Sequence, residues 1–181
     1  MTATAAPPAP DVAPPRRSAQ LTGRWLGPLA VTVLGGYLRF QDLGRPHAFV
    51  FDETYYAKDG LSLLEFGYEQ GFVEGADKKI LASDGTIDPS WFTGEASYIV
   101  HPPVGKWLIA GGEALFGATP MGWRVALALF GTLTILVLAR AVLRLTGSAL
   151  WGTLAGLLLA IDGMAIVMSR TAVLDLSLIH I

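Results

Sequence analysis

Two adjacent carboxylates, Asp52 and Glu53, stand just beyond a hydrophobic segment, in Phe51-Asp52-Glu53-Thr54-Tyr55-Tyr56. A carboxylate at such a place can take a proton from an incoming hydroxyl. Further along come His101-Pro102-Pro103-Val104-Gly105-Lys106, then Arg124, then Arg170. A guanidinium grips phosphate with two parallel N–H donors, and an ammonium meets it as a point charge. Acid on one side and Arg and Lys on the other suit transfer from a lipid-phosphate-linked donor to a hydroxyl. Each residue also has a plainer local reading. Asp52 and Glu53 are residues that cap a helix and favour its dipole. Arg124 is a membrane-interface anchor, and Tyr55 and Tyr56 are interfacial aromatics. His101 is a turn residue ahead of two prolines.

The elements that must position these groups are apolar. The 181 residues are 52% hydrophobic and 15% charged, with a mean hydropathy of +0.47, which points to a membrane protein. Cys is absent, which removes disulfides, thiolate metal sites and a Cys nucleophile. His47, His101 and His180 form no zinc-type pair. No basic, aromatic-interleaved surface points to nucleic acid, and the net charge of −2 is uninformative as a sum because the charges are segregated.

Residues 1–20 are Ala/Pro-rich and read as a disordered cytoplasmic tail. Three hydrophobic segments follow at about 25–43, 121–145 and 149–168, each read as a membrane span. In the first, Arg39 is expected to snorkel to the interface. A cleaved signal peptide is the alternative, but no A-x-A-like site follows the apolar run. Arg140 and Arg144 flank the short turn between the last two segments and place it in the cytoplasm with the basic N-terminal tail. The acidic outer loop, 44–120, and Ser169-Arg170-Thr171 then lie outside.

Within the outer loop, 52–66 reads as a helix closed by Gly67, with Asp52 at its N-cap. The stretch 69–97 reads as a plain surface loop, with turns at Ser83-Asp84-Gly85 and Asp88-Pro89. The stretch 104–116 reads as an amphipathic helix lying in the membrane interface. Lys106 and Glu113 share one of its faces, and Val104, Leu108 and Leu115 the other. Asp162 falls inside the third segment, either as a site residue or as an interfacial one.

Four motifs in order, Phe51-Asp52-Glu53-Thr54-Tyr55-Tyr56, His101-Pro102-Pro103-Val104-Gly105-Lys106, Gly122-Trp123-Arg124 and Ser169-Arg170-Thr171-Ala172-Val173-Leu174-Asp175, resemble the protein O-mannosyltransferase family. The likeness is to its actinobacterial-type members, which use a polyprenyl- or dolichyl-phosphate-mannose donor. It covers about residue 25 to Asp175. The resemblance implies an all-α integral membrane protein of GT-C architecture, with a many-span helical body and a catalytic loop outside. Residues 21–175 would form the N-terminal part of that domain, with three transmembrane helices and a long outer loop carrying interfacial helices.

The resemblance further implies transfer of mannose from polyprenyl-phosphate-mannose to Ser/Thr hydroxyls of secreted acceptor proteins, with inversion at the anomeric carbon. Asp52 and Glu53 match the family's catalytic pair, and Arg124 its donor-phosphate arginine. His101, Lys106 and Arg170 join the expected substrate-binding set. No cofactor is expected, and without a D-x-D at the site no metal is proposed. The expected location is the plasma membrane, multi-pass, with the catalytic loop extracytoplasmic. The family is several hundred residues long with more spans, so the chain reads as its front part, inactive alone, with 176–181 as a truncated end and His180 outside the site. Two rivals remain at this point. One is another GT-C transferase moving arabinose or aminoarabinose. The other is a non-catalytic membrane protein, such as a transporter or assembly subunit.

Overall fold

A computed structural model describes residues 17–174, with side chains from Arg24 onward. Most of the expected tail over 1–20 lies outside the described residues, as do Asp175, His180 and the rest of 176–181. Residues 17–20, expected in the tail, open the first helix instead.

Seven α-helices follow one another: α1 Arg17–Phe40, α2 Glu53–Phe66, α3 Ala76–Ala82, α4 Pro103–Phe116, α5 Pro120–Thr146, α6 Ala149–Ile161 and α7 Gly163–Ser169. The α2 boundaries follow local chemistry. Its chain turns at Gly67, whose φ of 78° suits a residue without Cβ, and the Gly67 N–H donates to Leu63 O. Pro103 opens α4, where its missing N–H has no intrahelical partner to lose. Thr119 caps α5 by accepting from the Gly122 N–H, with Pro120 next.

The all-α expectation needs one correction. Inside the presumed plain loop, β1 Gln70–Phe72 and β2 Phe92–Ala96 pair antiparallel, Gln70 opposite Ala96 and Phe72 opposite Phe92. Strands this short carry no readable two-residue period. The turn residues between them behave as expected. The Ser83 hydroxyl accepts from the Gly85 N–H, and Asp88 from the Ser90 N–H.

The membrane-type helices α1, α5 and α6 pack side by side, with Val31, Ile135 and Ala160 in their shared core. A Cβ on Gly152 would lie 2.6 Å from the Ala139 carbonyl, so α6 approaches α5 that closely only because glycine stands there. Their outward faces are apolar, with Val33, Val137 and Leu158 exposed. α5 is long and apolar enough to cross a membrane by length and composition. α6 and α7 reach that mark only as a pair bent by 64°.

The bend corrects the expected straight run over 149–168. Asp162 breaks it, and its carboxylate caps α7 by accepting from the Ala165 N–H at 2.7 Å. The carbonyls left at the end of α6 are met by Arg39, which donates to Ala160 O at 3.2 Å and Leu159 O at 3.3 Å. Arg39 is therefore buried between helices and does not snorkel.

A second core joins the loop elements to the end of α5 that bears Trp123, and includes Leu61, Ile80, Trp91, Ile109, Trp123 and Leu127. Phe49 stacks on Trp123 at 4.8 Å. α4 runs against α5 at Gly112 and Gly122, where a Cβ on Gly112 would collide with the Gly122 carbonyl. The loop is thus a packed platform that carries the acidic pair.

Candidate active site

Lys106 and Glu113 do share a face of α4, and that face is turned inward onto α2. Val104, Trp107 and Leu115 are the exposed side of the helix. For a helix in water this is inverted; against lipid it is the stable orientation. Lys106 lies 0% exposed between two carboxylates, 2.9 Å from Asp59 Oδ2 and 2.8 Å from Glu69 Oε2. Burial pushes the Lys106 ammonium down, but the hydrogen bonds and charges of Asp59 and Glu69 outweigh it and raise the group overall. Burial dominates at Asp59 and raises its carboxyl against the pull of Lys106.

Glu113 has no such partner. It is buried between α4 and α2, near Gly60, and both carboxyl oxygens lack a hydrogen bond among the described residues. Burial holds its carboxyl well above the usual carboxylate range. The folded form therefore keeps a proton that the unfolded chain releases. Stability linked to Glu113 is complete below the ordinary glutamate range and is lost as pH rises toward the folded value. Glu113→Gln is expected to abolish that part of the decline. The check is the thermal midpoint of both proteins between about pH 5 and pH 8; parallel curves would remove Glu113 as the cause.

The centre of the platform is the Glu53 carboxylate, which is fully buried. Glu53 Oε1 accepts from Arg124 Nε at 2.7 Å and from the Ala172 N–H at 2.9 Å. Oε2 accepts from Arg124 Nη2 at 2.7 Å and from the Val50 N–H at 2.9 Å. Arg124 Nη1 also donates to Leu43 O and Pro46 O, and Nη2 to Ala48 O. All five guanidinium N–H groups thus have acceptors. Three of the four sequence motifs meet at this one carboxylate. The arrangement fastens the 43–53 turn and the start of α2 to α5 and to the segment after α7.

Asp52, next to Glu53, is treated differently. It occupies the N-cap position of α2, yet its side chain makes no capping bond. Its carboxylate is half-buried and has no hydrogen bond or ion pair among the described residues. A local helix cap, the plainer reading of Asp52, is therefore absent as a hydrogen bond. The neighbouring Phe51 has a φ of 53° and is exposed. That backbone strain is held by the Glu53 contacts on either side.

The fourth motif reaches the same helix by two contacts. The His101 ring packs edge-on to Tyr56, with centroids 5.5 Å apart. Tyr56 lies one helical turn beyond Asp52, so His101 is held on that flank of α2. Lys106 reaches α2 through Asp59. Arg170 sits at the C-cap of α7 and donates to Leu38 O at 2.7 Å and Asp42 O at 3.3 Å, tying the end of α1 to α7.

Asp52, Glu53, Arg124, His101 and Arg170 are thus assembled around one end of the helices. Arg124 offers a phosphate no free N–H in this arrangement, and the Lys106 charge is offset by two acids. Sequence reading passed over Arg45, Asp59, Glu69 and the burial of Glu113. The i, i+7 spacing of Lys106 and Glu113 was the available signal that α4 has a face in need of partners.

The profile of the family described as dolichyl-phosphate-mannose-protein mannosyltransferase matches residues 29–181. The chain belongs to that family. Among curated relatives, it is similar to the polyprenol-phosphate-mannose–protein mannosyltransferase of Mycolicibacterium smegmatis, 35% identical over 175 residues, or 95% of this chain. The same-named protein of Mycobacterium tuberculosis is 35% identical over 154 residues, or 83% of this chain. That of Corynebacterium glutamicum is 47% identical over 81 residues, covering 45% of this chain and 16% of the relative. The chain spans 29% of the length of the M. smegmatis relative and 26% of the M. tuberculosis one. No solved structure matches it significantly. Membership of this mannosyltransferase family bears on the platform around Glu53, because the matched region contains all of it.

Proposed function

We propose that this chain is the N-terminal part of a membrane enzyme that transfers mannose from polyprenyl-phosphate-mannose to Ser/Thr hydroxyls of secreted proteins. The observation that carries the reading is the half-exposed Asp52 carboxylate, without a partner among the described residues, held beside a fully bonded Glu53–Arg124 pair in a chain of this family. Residues 21–175 belong to a GT-C membrane domain in the plasma membrane. α1, α5 and the bent α6–α7 pair are its first three crossings, the N-terminus is cytoplasmic, and the platform faces outside. The exposed apolar faces of α1, α5 and α6 support this placement, as does Arg140 and Arg144 near the α5–α6 turn.

The mechanism is a single displacement. Asp52 accepts the proton of the acceptor hydroxyl while its oxygen bonds to the anomeric carbon. The bond from that carbon to the phosphate oxygen breaks on the opposite face, and the prenyl phosphate leaves as an anion. The sugar inverts, as in inverting glycosyl chemistry generally. Glu53 and Arg124 are positioning residues here, and His101 borders the acceptor side. Attack is favoured because the carboxylate is pre-aimed by a rigid turn.

The test is a membrane assay of a full-length enzyme carrying residues 1–174 of this chain. Polyprenyl-phosphate-mannose and a Ser/Thr peptide are expected to give an α-mannosyl peptide. Transfer only to a glycan or lipid acceptor, or only from an arabinosyl or aminoarabinosyl carrier, would replace this reading with another GT-C activity. No transfer from any carrier would favour a non-catalytic role.

A further inference from the structure

The displacement above needs positive charge at the departing phosphate, and Arg124 has no N–H left to give it. Beside Arg124 lies a cavity of about 330 Å³ whose lining includes Arg45, Arg170, Pro46, Val50, Ile166 and Val167. Arg45 is exposed, and its guanidinium has no hydrogen bond or ion pair among the described residues. Arg170 is half-buried and aimed by its bonds to Leu38 O and Asp42 O, which leave its Nε–H uncommitted. Among the described residues no carboxylate lines the cavity, and the only acid paired there with a lining cation is Glu53, already bonded to Arg124. The cavity therefore has two uncompensated guanidinium groups beside walls of Val50, Ile166 and Val167. An anion with an apolar tail matches both halves. Val50 lies two residues before Asp52, which sets this cavity against the turn that carries the free carboxylate.

We propose that Arg45 and Arg170 bind the phosphate of the lipid-linked donor, with the apolar walls taking the first part of its prenyl chain. This rests on the donor reading given above. An interfacial arginine that only anchors the protein has no need of a shared cavity or of an acid-free lining. Two guanidinium groups also suit a phosphate better than one, since its oxygens can each take a charge-assisted N–H bond.

The experiment uses the full-length enzyme with residues 1–174 of this chain. Two readouts are taken, binding of undecaprenyl phosphate without sugar, and the KM and kcat for its mannosyl form. Arg45→Ala is expected to weaken prenyl-phosphate binding and raise the donor KM about ten-fold. The value of kcat should fall as well, because the charge at the departing phosphate is stabilised as it develops, and Arg45→Lys should recover part of both losses. Arg170→Lys should act in the same direction while the helix contacts stay tied by its remaining donor, checked by an unchanged melting temperature. An unchanged binding constant in both variants would overturn the proposal. Inorganic phosphate competing as well as the lipid phosphate would overturn the prenyl part, leaving a free-anion site. Arg45-dependent prenyl-phosphate binding with no mannosyl transfer would uphold the cleft and end the mannose reading. Normal transfer by Arg45→Ala at unchanged KM would do the reverse.

Discussion

Asp52→Asn is expected to lower mannosyl transfer by about 10²- to 10⁴-fold, the range that a positioned general base contributes. The donor KM should change little, because Asp52 is not among the residues that line the phosphate cavity. The melting temperature should also hold, since the carboxylate makes no capping bond, hydrogen bond or ion pair among the described residues that the amide could disturb. This combination separates chemistry from structure. An ordinary helix cap would lose about 1 kcal/mol of stability when its acceptor is removed and would leave turnover nearly intact. Near-normal kcat in Asp52→Asn would end its assigned role. A variant that melts early instead would show that Asp52 holds the turn.

Breaking the Glu53–Arg124 pair should have the largest effect on stability. Each partner is almost wholly buried and the two share two bonds of 2.7 Å. Removing one leaves an uncompensated charge in the interior, a change that costs about 3–5 kcal/mol in buried pairs. Arg124→Met would strand the Glu53 carboxylate and free three backbone carbonyls, at Leu43, Pro46 and Ala48. Glu53→Gln keeps the shape but weakens the grip on Arg124 and on the Val50 and Ala172 N–H groups. Both single variants should melt several degrees early and lose activity through the displaced Asp52 turn. The double variant should be less damaging than the sum of the two, because neither charge is then left alone. Thermal melting of the four proteins gives the coupling directly. If the singles melt normally and only donor binding falls, Arg124 acts on the phosphate as the motif resemblance implies, and the clamp assignment fails.

The two predictions treat neighbouring acids in opposite ways, and nothing local distinguishes them. Asp52 and Glu53 are both acids at a helix head. Their difference comes from the Cβ directions of successive residues, which diverge on entering α2. One points into the junction of α5 and the segment after α7, and the other does not. Arg124 is a parallel case. An arginine at the end of an apolar helix reads as an anchor or phosphate ligand, but its partners come from residues about 70 to 80 positions earlier in the chain.

What the amino-acid sequence determined by itself was the local layer and the family. Hydropathy marked the apolar stretches, and Gly67 marked the end of α2, because capping and backbone restriction act over a few residues. The ordered motifs identified the mannosyltransferase likeness that the family match bears out. Only the tertiary structure decided which charges are free. It placed Lys106 between Asp59 and Glu69, closed Arg124 onto Glu53, turned the charged face of α4 inward and left the Asp52 and Arg45 side chains without a polar partner among the described residues. It also bent the last apolar run at Asp162 and paired two strands across a loop. These outcomes depend on contacts between distant residues, and a buried charge is settled by whichever partner the fold brings within reach.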